Sequence, residues 1–132
     1  MNSEKPTLKN SAEDNFEGVT LDLTLARQNF GCDEELLCEI ATVFIEDVPH
    51  LVTELEQAYQ RGDSATVCRM AHSLKGLCAT FGAEPSRTYA QRIEHDCCDG
   101  NASSVTGERV RVLVHSLERT IATLRDELRI SA

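Results

Sequence analysis

Apolar side chains near the end of the chain recur at alternating steps of four and three residues, a spacing that forms one continuous face only on a helix. The series is Val110, Val114, Leu117, Ile121, Leu124 and Leu128. Such a face must be covered, either in a bundle core or in an intermolecular coiled coil. The bundle is favoured, because the other predicted helices also have apolar faces that need a partner.

Residues that start and stop helices divide the rest of the chain. Residues 21–30 predict a short helix that ends at Gly31. Asp33 and Asp63 are predicted N-caps of the next two helices, since a short carboxylate accepts hydrogen bonds from the first free backbone N–H groups. The second of these helices is expected to end near Gly82.

Two prolines mark further boundaries. Pro49 interrupts an apolar helical pattern and predicts a kink or a break there. Pro85 suits the first turn of a helix that stops at Gly100. No segment has the alternation of a strand, so we predict an all-α fold: an antiparallel, up-down four-helix bundle with a short additional N-terminal helix. Residues 20–132 form this domain, and residues 1–19 are expected to be a flexible tail or a linker.

His72 lies on the polar side of the helix that follows Asp63. At about 100° per residue, the apolar residues of this helix gather on one stripe, and His72 lies about 160° from the middle of it. The stripe consists of Val67, Met70, Ala71, Leu74, Leu77, Cys78 and Phe81. We therefore expect an exposed imidazole rather than a core histidine.

The residues around His72 on this polar face are a cation and several small side chains. They are Cys68, Arg69, Lys75, Gly76 and Ala79. A glycine inside a helix costs about 0.8–1 kcal/mol relative to alanine, which a merely solvated surface does not require. Lys75 lies one turn beyond His72 and about 60° round the helix, within reach of a group bound there. The pattern predicts that another molecule closely approaches His72.

The same segment resembles the histidine-containing phosphotransfer (HPt) domain family of bacterial two-component phosphorelays. The family signature reads Ala-His-Ser-Leu-Lys-Gly at residues 71–76, followed by Gly-Ala-Glu at 82–84. Upstream, residues 44–63 are similar to the preceding helix and Gly-Asp turn of the family, and downstream the likeness continues more loosely through Tyr89–Glu94. The resemblance covers roughly residues 20–130.

The resemblance implies that His72 accepts a phosphoryl group from an aspartate of a response-regulator receiver domain and passes it to another receiver. Lys75 would stabilise the phosphoryl oxygens during transfer. The expected partner contacts are Cys68, Arg69, Gly76 and Ala79. Mg²⁺ is expected only on the receiver, and the protein is expected to be a monomer. The sequence contains no glycine-rich phosphate loop, so we predict a carrier without an ATP-binding site rather than an enzyme.

Charge and hydropathy narrow the class of partner. The net charge of −9 argues against nucleic acid. Residues 1–66 contain 14 acidic and 4 basic side chains, a net −10, whereas residues 67–132 contain 8 acidic and 9 basic ones, a net +1. An anionic partner site can therefore approach His72 without strong repulsion. No apolar run of membrane-spanning length and no export signal is visible, so a cytoplasmic protein is expected.

The six cysteines are expected to be reduced, since the chain has a full apolar core and no visible export signal. Cys78 falls on the apolar stripe and should pack there. Neither the His95-x-Cys97-Cys98 string nor the Cys68–His72 pair has the spacing of a four-ligand metal site, so no metal is predicted.

Two other functions remain open at this stage. One is a helical adaptor that docks on signalling partners without chemistry, for which His72 would be dispensable. The other is the phospho-accepting domain of a chemotaxis-type histidine kinase, which shares the fold and a similar His-Ser-x-Lys-Gly motif but receives phosphate from ATP. The Gly-Ala-Glu continuation favours the relay form. The chain is either a stand-alone protein or the C-terminal domain of a hybrid sensor kinase, with residues 1–19 as its linker.

Overall fold

The computed structural model of the protein describes residues 21–98, 105 and 107–130. These residues form five helices: α1 (Leu23–Asn29), α2 (Glu34–Gln60), α3 (Ser64–Thr80), α4 (Glu84–Cys98) and α5 (Gly107–Leu128). The four long helices pack in a ring, α2 on α3, α3 on α4, α4 on α5 and α5 on α2, while α1 contacts α2 and α3. The predicted four-helix bundle with a short N-terminal helix is confirmed. The predicted tail, residues 1–19, lies outside the described residues.

None of the helices in the described part of the chain is long and apolar enough to cross a membrane.

The first three helices begin where an aspartate supplies a cap. Asp22, Asp33 and Asp63 each accept a hydrogen bond from the backbone N–H three residues on, at 3.1–3.2 Å. These contacts satisfy N–H groups that have no partner inside the helix. The N-cap predictions at Asp33 and Asp63 are confirmed.

The second helix runs without interruption through Pro49. A break at this residue was therefore a wrong expectation. Pro49 lies on the exposed side of α2, and its carbonyl accepts a hydrogen bond from the Thr53 hydroxyl at 3.0 Å. The 27 residues of α2 supply enough backbone hydrogen bonds and core contacts to continue the helix past one missing donor.

The apolar stripe predicted on α3 faces the bundle interior. Val67, Ala71, Leu74, Cys78 and Phe81 are buried, and the remaining members, Met70 and Leu77, are partly buried. The ring of Phe81 packs edge-on against Phe44 of α2, with 5.2 Å between the ring centroids. Burial of this stripe fixes the rotation of α3 about its own axis.

The buried face of α5 differs from the predicted seam. Val110, Leu117 and Leu124 are buried as expected, but Leu113 and Thr120 are buried in place of Val114 and Ile121, which are half-exposed. The buried positions of α5 are therefore 110, 113, 117, 120 and 124.

A polar cluster explains why a threonine can occupy this core position. The Ser86 hydroxyl of α4 lies 2.6 Å from the Ser116 hydroxyl and 3.2 Å from that of Thr120, both on α5. Thr120 also donates to the Ser116 carbonyl at 2.9 Å. A buried hydroxyl is tolerated when it is hydrogen-bonded. Hydropathy alone did not identify Thr120 as a core residue.

Matching turns with a left-handed glycine close α2 and α3. Gly62 has φ +74° and Gly82 has φ +62°. The two turns differ in their surroundings. A Cβ on Gly62 would meet nothing within 4 Å, whereas a Cβ on Gly82 would lie 2.6 Å from Cβ of Asp22. The backbone N–H of Asp22 donates to the Phe81 carbonyl at 2.9 Å, so the start of α1 is seated directly on the α3–α4 turn.

We predict that Gly82→Ala destabilises the protein more than Gly62→Ala. Both changes force alanine into the left-handed region, at a cost of about 1–2 kcal/mol. Only Gly82→Ala must also displace Asp22, so its free energy of unfolding should fall by about 1 kcal/mol more, as for other overpacked sites. Urea unfolding of both variants checks this, and equal losses would show that α1 is not held against the turn.

Candidate functional site

His72 projects from the middle of α3 on the side opposite the buried stripe. Its neighbours Ala71 and Leu74 are fully buried, while 68% of the His72 side chain is exposed. The exposure expected from helix periodicity is therefore present. The orientation follows from the packing of α3, because an apolar stripe that faces inward leaves position 72 outside.

The imidazole of His72 is held by one carboxylate from the neighbouring helix. Nδ1 of His72 lies 2.7 Å from Oε2 of Glu94, and Nζ of Lys75 lies 2.7 Å from Oε1 of the same carboxylate. Each oxygen of Glu94 thus binds one of the two residues that were predicted to take part in the chemistry, His72 and Lys75. Glu94 is 16% exposed and Lys75 29% exposed, so both are more shielded than His72.

The charge state of Glu94 determines the proton arrangement of the cluster. The hydrogen bond from Lys75 lowers the pKa of Glu94, partial burial opposes this shift, and the contact with His72 adds to it. Glu94 is therefore ionised at neutral pH and can only accept hydrogen bonds. It follows that Nδ1 of His72 carries a proton and donates it to Glu94. In the neutral ring the unprotonated nitrogen is then Nε2.

Two of the predicted partner contacts form a low surface next to His72. Gly76 and Ala79 are both exposed, one and two turns beyond the histidine. A Cβ placed on Gly76 would meet nothing within 4 Å. Packing among the described residues therefore does not require glycine at this position, and the effect of Gly76 is to lower the surface that another molecule would meet.

The other two predicted contacts lie on the preceding turn of α3. Cys68 is partly buried and Arg69 is exposed. Arg69 donates to the hydroxyl of Thr66 at 3.3 Å, which directs its guanidinium toward the start of α3 and away from His72. Lys75 thus shares the Glu94 carboxylate with His72, whereas the side-chain hydrogen bond of Arg69 is with Thr66.

Glu94 is the site residue that sequence reasoning missed. Glu94 lies at the edge of the apolar face of α4, next to the buried Ile93. An acidic residue at such a position is indistinguishable in the sequence from an ordinary surface acid. One signal could have identified it. His72 lies eleven residues before Ala83, and Glu94 lies eleven residues after Ala83. An antiparallel helical hairpin with its turn at Ala83 therefore places His72 and Glu94 at the same level.

The cysteines and the remaining histidine string have different surroundings. Burial raises the pKa of the Cys78 thiol to about 12, so Cys78 packs as a neutral side chain, as predicted. His95 is exposed whereas Cys97 is buried, so the two face different sides of α4. Over the described ranges, no three His, Cys, Asp or Glu side chains converge in a way that could hold a metal ion.

Comparison with known proteins agrees with this geometry. The family model of the Hpt domain matches residues 39–128. No curated protein sequence matches the chain. Two solved structures share the fold, each with a TM-score of 0.74 over 86% of this chain. One is the HPT domain of a Shewanella sensor hybrid histidine kinase, which is 20% identical and is covered over 97% of its length. The other is histidine-containing phosphotransfer protein B (HptB) of Pseudomonas aeruginosa PAO1, which is 19% identical and is covered over 98% of its length. The chain belongs to the Hpt domain family, the histidine phosphocarriers of phosphorelays.

Proposed function

We propose that His72 is the phosphoacceptor of this carrier and that it exchanges a phosphoryl group with aspartates of receiver domains. The observation that carries the proposal is the hydrogen bond of 2.7 Å between Nδ1 of His72 and ionised Glu94. It selects the tautomer with a lone pair on Nε2. Within the described residues Nε2 has no hydrogen-bond partner, and the ring is 68% exposed.

The transfer balances without a net change in protons. The Nε2 lone pair attacks phosphorus, the N–P bond forms, and the bond from phosphorus to the aspartate oxygen breaks, releasing the receiver carboxylate. The imidazole ring becomes positively charged and keeps its Nδ1 proton, which the carboxylate of Glu94 stabilises. Attack by the aspartate of a second receiver breaks the N–P bond and returns the lone pair to Nε2.

Lys75 contributes in two ways in this proposal. Its contact with Glu94 at 2.7 Å keeps that carboxylate ionised and therefore able to accept the Nδ1 proton. An ammonium has three N–H donors, so Lys75 can also bind an oxygen of the phosphoryl group on Nε2. The family's reaction needs Mg²⁺ on the receiver, and the exchange is expected in the cytoplasm.

Two arrangements are proposed for the domain: a stand-alone phosphotransfer protein or one domain of a hybrid sensor kinase. One similar structure is a domain of a hybrid kinase and the other is described as a phosphotransfer protein, so the fold occurs in both settings. In either setting we infer that the chain carries phosphate and has no ATP site of its own. Incubation with a panel of phosphorylated receiver domains from the same organism, with label transfer as readout, tests the proposal directly.

We predict that His72→Gln abolishes phosphate acceptance and leaves the fold intact. Because the side chain is 68% exposed, the free energy of unfolding should change by no more than about 0.5 kcal/mol. Phosphate on the wild-type protein should be labile in acid and stable in alkali, as phosphohistidine is. Retention of the label in His72→Gln would contradict the assignment, and partner binding that persists without any transfer would favour the non-catalytic adaptor.

Substitutions at Gly76 should affect the docking of receivers without destabilising the fold. Gly76→Ala is expected to raise the free energy of unfolding by up to about 1 kcal/mol, since alanine favours the helix interior and its Cβ meets nothing within 4 Å. Gly76→Gln should be no less stable than wild type but should obstruct receivers and slow transfer. A wild-type rate in Gly76→Gln would mean that no partner surface approaches this position.

We predict that Lys75→Met raises the pKa of Glu94, because the first cause of its depression is removed. In the wild type, a depressed pKa stabilises the folded state above the ordinary pKa of glutamate, and this contribution disappears as pH falls through the folded-state pKa. Lys75→Met should therefore lose less stability on acidification. NMR titration of the Glu94 carboxyl and urea unfolding across pH 3–7 measure both effects.

The same variant should slow phosphotransfer. Loss of a charge-assisted contact to the phosphoryl group typically lowers a rate by about ten- to a hundredfold. Lys75→Arg keeps the charge and should fall between the two. If Lys75→Met transfers at full speed from every receiver, Lys75 is an ordinary surface lysine.

A further inference from the structure

Arg87 of α4 lies on the same side of the bundle as His72, two helical turns from the site. It precedes Glu94 by seven residues, and Ala79 follows His72 by seven. Seven residues advance a helix by about 10.5 Å and return to within about 20° of the same direction. Because α3 and α4 are antiparallel, Arg87 lies level with Ala79, just as Glu94 lies level with His72.

The guanidinium of Arg87 is held in one position by its own helix. Nε and Nη2 donate to the two oxygens of Glu84 at 2.9 and 2.8 Å, and Nη1 donates to Oε1 of Gln91 at 2.9 Å. A guanidinium has five N–H donors, so two are not used by the described residues. The side chain is 31% exposed, which leaves it accessible to a partner.

The charge of Arg87 also reaches the neighbouring helix. Burial raises the pKa of the Cys78 thiol to about 12, and the nearby Arg87 charge opposes that rise. Cys78 is the residue before Ala79 on α3. The effect of Arg87 on Cys78 therefore agrees with the helical spacing, which places Arg87 level with Ala79.

The surface between His72 and Arg87 is low. Along α3 it passes Gly76 and Ala79, which are exposed and extend no further than a Cβ. The His72–Glu94 pair stands at one end of this strip and the fixed guanidinium at the other. A flat strip of this kind accommodates a protein surface rather than a small molecule.

We propose that Arg87 is a specificity-determining residue for receiver docking, and that it binds an Asp or Glu carboxylate on the rim of the receiver's acceptor cleft. This inference rests on the proposed function. A specific interface buries about 800 Å² per partner, a disc of about 16 Å radius. A receiver centred on His72 therefore covers a group about 10.5 Å away along the helix. An ordered guanidinium pairs with carboxylates in a defined orientation and loses little side-chain freedom on binding.

Recognition by Arg87 depends on direction more than on net charge, because Glu84 already offsets its charge locally. Lysine is therefore a poor substitute, since one ammonium cannot bind Glu84 at two points and also present fixed donors outward. Exposed ion pairs of this kind contribute little to stability, so variants of Arg87 should fold normally.

Arg87→Gln and the control Arg92→Gln test the proposal. Arg92 is on the same helix, two residues before Glu94 and therefore about 160° round the helix from it, and its guanidinium lies over the Tyr89 ring, 5.9 Å from the centroid. Phosphotransfer from a receiver panel should show at least about a tenfold loss of kcat/KM in Arg87→Gln. Arg92→Gln should stay within about twofold of wild type. With phosphoramidate, a small donor that needs no docking, both variants should match wild type.

Three outcomes count against the proposal, and they differ in what they overturn. If Arg87→Gln matches Arg92→Gln with every receiver that phosphorylates the wild type, Arg87 has no docking role while the phosphocarrier function stands. If Arg87→Gln is slowed equally with phosphoramidate, it acts on His72 rather than on docking. If the wild type accepts phosphate from no receiver, the proposed function itself fails.

A charge-exchange experiment then identifies the partner residue. Arg87→Glu should abolish transfer from a responsive receiver, and an Asp→Arg or Glu→Arg change on the rim of that receiver should restore it. Restoration by one rim position confirms a direct contact, whereas no restoration at any acidic rim position rejects it.

Discussion

Burial of the apolar stripe on α3 is the constraint on which the rest of the site depends. With Val67, Ala71, Leu74, Cys78 and Phe81 turned inward, the helix has no rotational freedom left, so position 72 must face solvent. The same burial orients the other residues of the polar face. The exposure of His72 is thus a consequence of hydrophobic packing on the opposite side of one helix.

A single carboxylate organises the polar side of that helix. Glu94 binds a cation through one oxygen and the imidazole through the other, so its own charge is compensated before any partner arrives. The lysine keeps the carboxylate ionised, and the carboxylate in turn accepts the Nδ1 proton, which leaves the lone pair of the neutral imidazole on Nε2. None of the three needs deep burial for this, which keeps the imidazole accessible.

Much of the fold and part of the site could be predicted from the sequence, for identifiable reasons. Helix periodicity and aspartate caps are local signals, and they located the helices and the exposure of His72. Glu94 was missed because its role depends on a residue 22 positions away. Thr120 was missed because its burial depends on hydroxyls contributed by another segment. Pairings between distant residues leave no trace in periodicity.

The three hydroxyls between α4 and α5 have a further consequence for the histidine. Apolar side chains pack acceptably in several arrangements, so a purely hydrophobic seam would let α4 slide by one turn, about 5.4 Å, along its neighbour. Such a slip would take the buried Ser86 hydroxyl away from its two partners on α5, which is unfavourable. The hydroxyls therefore set the height of α4 in the bundle. The short α3–α4 turn keeps Glu94 opposite His72, and the hydroxyls hold this pair at one height against α5.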